Sequence, residues 1–214
     1  MAVLEVLYRL KQREFAERLR EMSDPHVIYV TDLVSCSHKR VMRRSYPLLS
    51  FRFEPSLVIG DLVHYGLEKL LQDAGGGGGV WEAERPVEKR FNIDGVEYVL
   101  KGRVDLLYVV DGAPRVVVEV KTGRDLPGNE PLEHHKLQVQ VYMEMLGVGE
   151  GYLLYITPER VVEHPVERAN LDLEAMVRDV VYNRVRPRYQ WECRYCPYRR
   201  LCPYALSVSR ERQQ

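Results

Sequence analysis

The 214-residue sequence lacks the features that would send a chain into a membrane or out of a cell. No apolar run approaches the length of a bilayer span. Residues 1–21 alternate charged and apolar positions at helical spacing, without the apolar core and cleavage site of a signal peptide. The expectation is a soluble, cytoplasmic protein with no membrane partner. Net charge is missing as well: 31 Lys and Arg balance 31 Asp and Glu, which argues against a generally basic coat. Apolar content is ordinary, so global disorder is not expected. There is no internal repeat and no Gly-Lys-Ser/Thr phosphate loop. Cysteine is scarce, with only Cys36, Cys193, Cys196 and Cys202. Nothing suggests an oxidising compartment, so a metal centre is a better use for these thiols than disulfides.

The charge that is present is unevenly spread. The stretch from Arg184 to Arg200 holds six arginines against the lone Glu192, and Lys39-Arg40-Val41-Met42-Arg43-Arg44 follows Cys36. Such runs are commonly solvated faces. Interleaved Tyr189, Trp191, Tyr195, Tyr198 and Tyr204 tilt the tail toward a polyanion, because aromatic rings stack on bases while guanidinium groups hold phosphates.

Periodicity predicts helices over 2–21, from a Thr31-Asp32 cap to about Arg44, from Ser56 through Leu71, over 132–146 and over 171–185. Gly75 to Gly79 reads as a flexible loop, and Thr122 to Glu130 as another. Strands are expected over 87–92, 96–110, 115–121, 152–156 and 161–166, with turns at Asp94-Gly95 and Asp111-Gly112-Ala113-Pro114. The order of elements gives an α/β or α+β fold with one central sheet.

The most informative stretch is Gly102 to Gly123. It is a valine-rich hairpin carrying Asp105, Glu119 and Lys121. A carboxylate inside such strands costs several kcal/mol unless it is paired or bound to a cation. Glu119 and Lys121, two apart on a strand, share a face. A three-residue turn would place Asp105 opposite Glu119, and a four-residue turn would need a bulge to do so. Two facing acids repel, and a divalent cation resolves the conflict. An Asp–Lys ion pair at a sheet edge explains the hairpin equally well. Two helical signals favour the metal reading. His64 lies on the apolar stripe with Leu57, Leu67 and Leu71, where an imidazole can serve as a third ligand. Gln138 and Tyr142 are four apart on one helix, which follows directly on the loop after Lys121.

In order, Gly60-x-x-x-His64, Gly102-x-x-Asp105, Glu119-x-Lys121 and Gln138-x-x-x-Tyr142 resemble the RecB-like branch of the PD-(D/E)XK nuclease superfamily, over roughly residues 56 to 146. The resemblance implies that His64, Asp105, Glu119 and the Val120 carbonyl bind Mn²⁺ or Mg²⁺. It implies that Asp105, Glu119 and Lys121 are catalytic, with Lys121 assisting the attacking water, and that Gln138 and Tyr142 contact the DNA strand. Cys36 together with Cys193-x-x-Cys196 and Cys202 resembles the iron staple of that branch. Ligand count suits zinc or iron–sulfur alike. The resemblance implies an iron–sulfur cluster, 4Fe–4S being the commoner state and 2Fe–2S also compatible.

A chain of this size with Thr31 to Cys36 at its front is similar to the CRISPR-associated RecB-like exonucleases, over about residues 28 to 204. The implied fold is a restriction-endonuclease-like core with a central mixed sheet flanked by helices. The implied division is an N-terminal helical part (1–55), a nuclease core (56–186) and a cluster-binding tail (187–214). The implied function is metal-dependent exonucleolytic cleavage, mainly of single-stranded DNA, in spacer acquisition beside the CRISPR integrase proteins. Homo-oligomerisation stays open. Competing readings are a non-catalytic DNA-binding adaptor held by a cluster or zinc, and a housekeeping repair nuclease of the same fold.

Overall fold

A computed structural model describes residues 2–74, 77–124 and 130–207. Gly75 and Gly76 of the expected glycine loop, and the Pro127-Gly128 pair of the next one, lie outside these residues. The described chain runs α1 (Val3–Met22), β1 (Val27–Tyr29), α2 (Val30–Leu33), α3 (His38–Ser45), a 3₁₀ turn (Pro47–Ser50), α4 (Pro55–Ala74), β2 (Val80–Ile93), β3 (Val96–Val110), β4 (Ala113–Thr122), α5 (Glu133–Leu146), β5 (Glu150–Ile156), β6 (Val161–Pro165), α6 (Leu173–Val181) and α7 (Glu192–Tyr195). The expected mixed sheet flanked by helices is present.

The sheet is organised around β3. β2 pairs antiparallel along one edge of it, from Ile93↔Val96 to Val80↔Val109. The other edge is shared: β1 runs parallel beside Val99 to Lys101, and β4 antiparallel beside Leu106 to Val110. β5 then pairs parallel to β4, and β6 antiparallel to β5. Between β1 and β4, residues 102–105 have no strand neighbour on the shared edge. Tyr142 of α5 fills that gap. Its hydroxyl donates to the Arg103 carbonyl (3.0 Å) and accepts the Arg103 N–H (3.2 Å), satisfying both backbone groups that a missing strand would have paired. Gly102 is required there, because a Cβ would collide with the Tyr142 ring and meet Val30 at 2.9 Å.

Both hairpins turn on two residues with positive φ, Asp94-Gly95 (53° and 86°) and Asp111-Gly112 (51° and 75°), as type I′ turns demand. The second turn is shorter than the expected three or four residues. A bulge compensates: Tyr108 pairs with Val116 but Val109 with Pro114, so Arg115 is the extra residue. The resulting register, continued one step past Leu106↔Val118, brings Asp105 opposite Glu119 as expected.

Three other expectations change. The helix read through Arg44 is broken into α2 and α3 around Cys36, because long-range partners claim the backbone there. The Cys36 N–H goes to Glu192 Oε1 (2.9 Å) and the Ser37 N–H to the Val185 carbonyl (2.8 Å). The strand read from Val87 begins at Val80 instead. α6 is shorter than 171–185: the Asp172 carboxylate caps its start by accepting the Ala175 N–H (2.9 Å), and Asn183 with φ 52° follows its end. One core lies between the sheet and α5, α6 and α2, around Leu100, Val117, Val139, Met143, Leu153 and Val177. A smaller one, Leu106, Val118 and Val120, lies under Leu67 and Leu71 of α4.

Candidate active site and cysteine cluster

Three elements, one helix and two strands of the sheet, deliver the charged residues. α4 supplies His64, β3 supplies Asp105, and β4 supplies Glu119 and Lys121. His64 Nδ1 is 3.8 Å from Asp105 Oδ1, and Asp105 Oδ2 accepts the Val120 N–H (2.8 Å). Val120 lines the same small cavity as His64 and Asp105. Glu119 is fully enclosed: its Oε1 accepts from Lys121 Nζ (2.5 Å) and Gln138 Nε2 (2.7 Å), and Lys121 also donates to Gln138 Oε1 (3.1 Å). Glu119 Oε2 is buried and has no partner among the described residues.

Sequence reasoning missed one member of this group. Glu84 of β2 has its Oε1 3.6 Å from His64 Nδ1. Ligand atoms of His64, Glu84 and Asp105 all lie within 4.8 Å of one another. Glu119 is outside that set, its Oε1 held by Lys121 and Gln138. Glu84 adopts φ 51°, a left-handed conformation costly for a side chain with a Cβ, and Arg103 Nε holds its Oε2 at 2.5 Å. The signal was available: a two-residue turn at Asp94-Gly95 sets Glu84 opposite Asp105, as the flanking pairs Ala83↔Leu106 and Arg85↔Val104 show.

The electrostatics suit a bound cation. Burial pushes the Glu119 carboxyl up to about 7; Lys121 offsets part of this and Asp105 adds to it. Burial likewise raises Asp105 against the opposing pull of His64 and Lys121. His64 is raised chiefly by Glu84, and Glu84 is lowered chiefly by His64. Two acids held above their ordinary range, with one carboxylate oxygen unpartnered, suit a hard divalent ion with carboxylate and imidazole donors.

Gln138 and Tyr142, expected to touch DNA, are both buried and bond inward to Lys121, Glu119 and Arg103. As placed, they position the strands and charges around them. The four cysteines are brought together. Cys36 and Cys193, both buried, line one cavity with Cys196 and Cys202, and all four are free thiols. No three of the cysteine sulfurs lie within 4.8 Å of one another, wider than a single tetrahedral ion needs, so four thiols around one cavity suit an iron–sulfur cluster better than one ion. The buried Glu192 carboxylate closes this region. It accepts from the Cys36 N–H, from Lys39 Nζ (3.0 Å), and from the Arg188 and Tyr189 N–H groups (both 3.0 Å). Burial alone would raise it, but the backbone donors and Lys39 together hold it below the usual carboxylate range.

Beside Lys121, burial presses the His135 imidazole down to about 3, with the lysine charge adding to the effect. Its Nδ1 lies 2.9 Å from the Tyr155 hydroxyl. The folded state therefore holds His135 neutral while the unfolded chain protonates it near 6.5. Its contribution is intact above about pH 6.5 and drains away as pH falls toward 3. Between pH 7 and 5 this amounts to about 2 kcal/mol. Urea denaturation of wild type and His135→Gln at both pH values should show a pH dependence shallower by that amount in the variant. Equal pH dependence would refute the assignment.

The PD-(D/E)XK nuclease superfamily model matches residues 77–203. The CRISPR-associated exonuclease Cas4 of Saccharolobus solfataricus is 35% identical over 205 residues, covering 92% of this chain and 98% of that protein. The crystal structure of SSO0001 superposes with a TM-score of 0.81 at 32% identity, over 95% of this chain and 98% of its own. The alkaline exonuclease LHK-Exo from Laribacter hongkongensis shares the fold, with a TM-score of 0.50 at 12% identity over 80% of this chain and 90% of its own. No described helix is long and apolar enough to cross a membrane.

Proposed function

From the premise that this chain belongs to the PD-(D/E)XK nuclease superfamily, and within it to the CRISPR-associated Cas4 exonuclease family, we propose that it trims single-stranded DNA from an end during spacer acquisition. It is a CRISPR-associated, metal-dependent nuclease with DNA as its substrate. The observation that carries the site assignment is the enclosed Glu119, with one oxygen tied to Lys121 and the other without a partner among the described residues, beside Asp105 and His64.

His64, Asp105, Glu119 and the Val120 carbonyl would hold Mn²⁺ or Mg²⁺, with Glu84 as a further acid at the same place. When bound, such an ion polarises the phosphate and lowers the pKa of a water. The protein's own part is positional and electrostatic. Gln138 fixes the Glu119 carboxylate and the Lys121 ammonium together, so Lys121 presents its charge and protons at one point. There it orients the attacking water and offsets the negative charge that builds on phosphorus. Tyr142 keeps Arg103 and the neighbouring Asp105 in place, and Arg103 is itself anchored on Glu84. We assign Gln138 and Tyr142 as positioning residues because both are buried.

The four cysteines would carry an iron–sulfur cluster, 4Fe–4S or 2Fe–2S, joining the Cys36 turn to the tail. The exposed Ile59, Leu62 and Tyr65 of α4 support a protein-binding face. We assign it to the CRISPR integrase proteins, with a second copy of this chain as the alternative, and the work is cytoplasmic. The test is cleavage of DNA labelled at either end, single-stranded and duplex, with Mn²⁺, Mg²⁺ or EDTA. Metal-dependent release of short products from one end of the single strand is expected. Equal cutting of both forms would overturn the single-strand assignment, and internal cutting the exonuclease one.

A further inference from the structure

One partly exposed group of side chains outside the metal cluster has no role in the chemistry above. Tyr189 and Trp191 of the cysteine-rich tail are near parallel, 15° apart with ring centroids at 5.8 Å. His134, in the first turn of α5, places its ring 4.9 Å from Trp191 and 5.8 Å from Tyr189. Trp191 leaves 45% of its surface open, a costly exposure for the largest aromatic side chain unless something covers it.

The group is built rather than loose. Glu192 accepts the Tyr189 N–H as well as the Cys36 N–H, so the carboxylate that anchors the cysteine region also fixes the turn carrying both tail rings. His134 lies four residues before Gln138, on the same face of α5, and Gln138 is the residue that holds Lys121. The aromatic surface therefore begins about one helical turn from the lysine of the active site. Burial and the Lys121 charge keep the His134 imidazole neutral, so it offers a flat uncharged face. The arginine-rich stretch from Arg184 to Arg200 around the rings supplies charge of the sign a phosphate backbone needs.

We propose that Tyr189, Trp191 and His134 form a stacking platform for an unpaired nucleobase of the DNA strand whose phosphodiester lies at Lys121. The inference rests on the nuclease reading and extends it to substrate choice. A base in a duplex already has both faces covered by its neighbours, whereas an unpaired one is free to stack on protein rings. The platform thus selects single strands by geometry, with no need to read sequence.

The chain has two tryptophans, so Trp81→Phe leaves Trp191 as the sole reporter while keeping a ring against Tyr108. Oligothymidine and a duplex of equal length are titrated into this protein in EDTA, where binding proceeds without cleavage. Saturable quenching of Trp191 emission by the single strand alone is expected. In the otherwise wild-type chain, Trp191→Ala should weaken single-strand binding roughly tenfold, the effect of one lost stacked base. Trp191→Phe should retain most of the affinity, and duplex binding should be unchanged in both. Saturable binding without quenching, or an unaltered affinity in Trp191→Ala, overturns the platform. A protein that cleaves with Mn²⁺ but shows no quenching loses the platform and keeps the nuclease. One that quenches but never cleaves loses the nuclease reading instead.

Discussion

Glu119→Ala is expected to lower metal-dependent DNA cleavage by about 10³-fold or more, equivalent to about 4 kcal/mol of transition-state stabilisation. Two losses coincide at this position. The carboxylate that would hold the ion disappears, and Lys121 loses the 2.5 Å partner that aims it. Glu119→Gln separates them. Its amide oxygen still accepts from Lys121 and its volume is conserved, so the fold and the lysine position are kept while the charge is gone. If Glu119 acts chiefly as a metal ligand, the glutamine variant should be nearly as inactive as the alanine one. It should also be at least as stable without metal at pH 8, because a carboxyl that burial raises to about 7 costs the fold stability where the unfolded chain is fully ionised. End-labelled single strands incubated with wild type and both variants in Mn²⁺, Mg²⁺ and EDTA give the comparison. Cleavage within a few-fold of wild type by a well-folded Glu119→Ala would place the active site elsewhere.

Cys193→Ala should produce the largest change in stability. Cys193 is buried, lies in the short helix α7 and lines the cavity shared with Cys36, Cys196 and Cys202. If the four thiols hold the proposed cluster, losing one ligand would release it, and with it the tie between the Cys36 turn and the tail. Loss of a structural metal is among the few single changes that cost 4 kcal/mol or more. For a chain of this length that is roughly 10 °C in melting temperature. Wild type should be brown, with bound iron and absorbance near 400 nm, and the variant should lose colour, iron and thermal stability together. A colourless wild type containing zinc would replace the cluster assignment. Unchanged melting with lost cleavage would instead give the centre a part in the reaction.

Much of this was legible in the chain, and the exceptions have specific causes. The bounds of β3 and the Asp94-Gly95 turn follow from alternation and from the left-handed φ that Asp-Gly pairs tolerate. The end of α5 follows from Gly147, which adopts φ 67°. Helical spacing alone could not show the break around Cys36, because it is imposed by Glu192, 156 residues away. Alternation also missed the bulge at Arg115, which restores the Asp105–Glu119 register after a turn shorter than expected. Glu84 lay within reach of simple hairpin arithmetic, yet it was hidden because Arg85 and Pro86 interrupt the apolar pattern and the strand was read as starting after them. The exposed platform was legible only as composition. Nothing local brings His134 to Trp191.

The clasp between Cys36 and Glu192 also orders events during synthesis. Every residue assigned to the reaction, from His64 to Tyr142, leaves the ribosome before the carboxylate and the last three cysteines that fasten the Cys36 turn. At usual elongation rates, the sixty residues from Tyr142 to Cys202 take roughly 3 to 12 s to add. Throughout that interval the nascent chain carries a complete set of acids and a lysine on strands whose N-terminal support is still unfastened. The segment that fastens the Cys36 turn is thus made after the strands it supports.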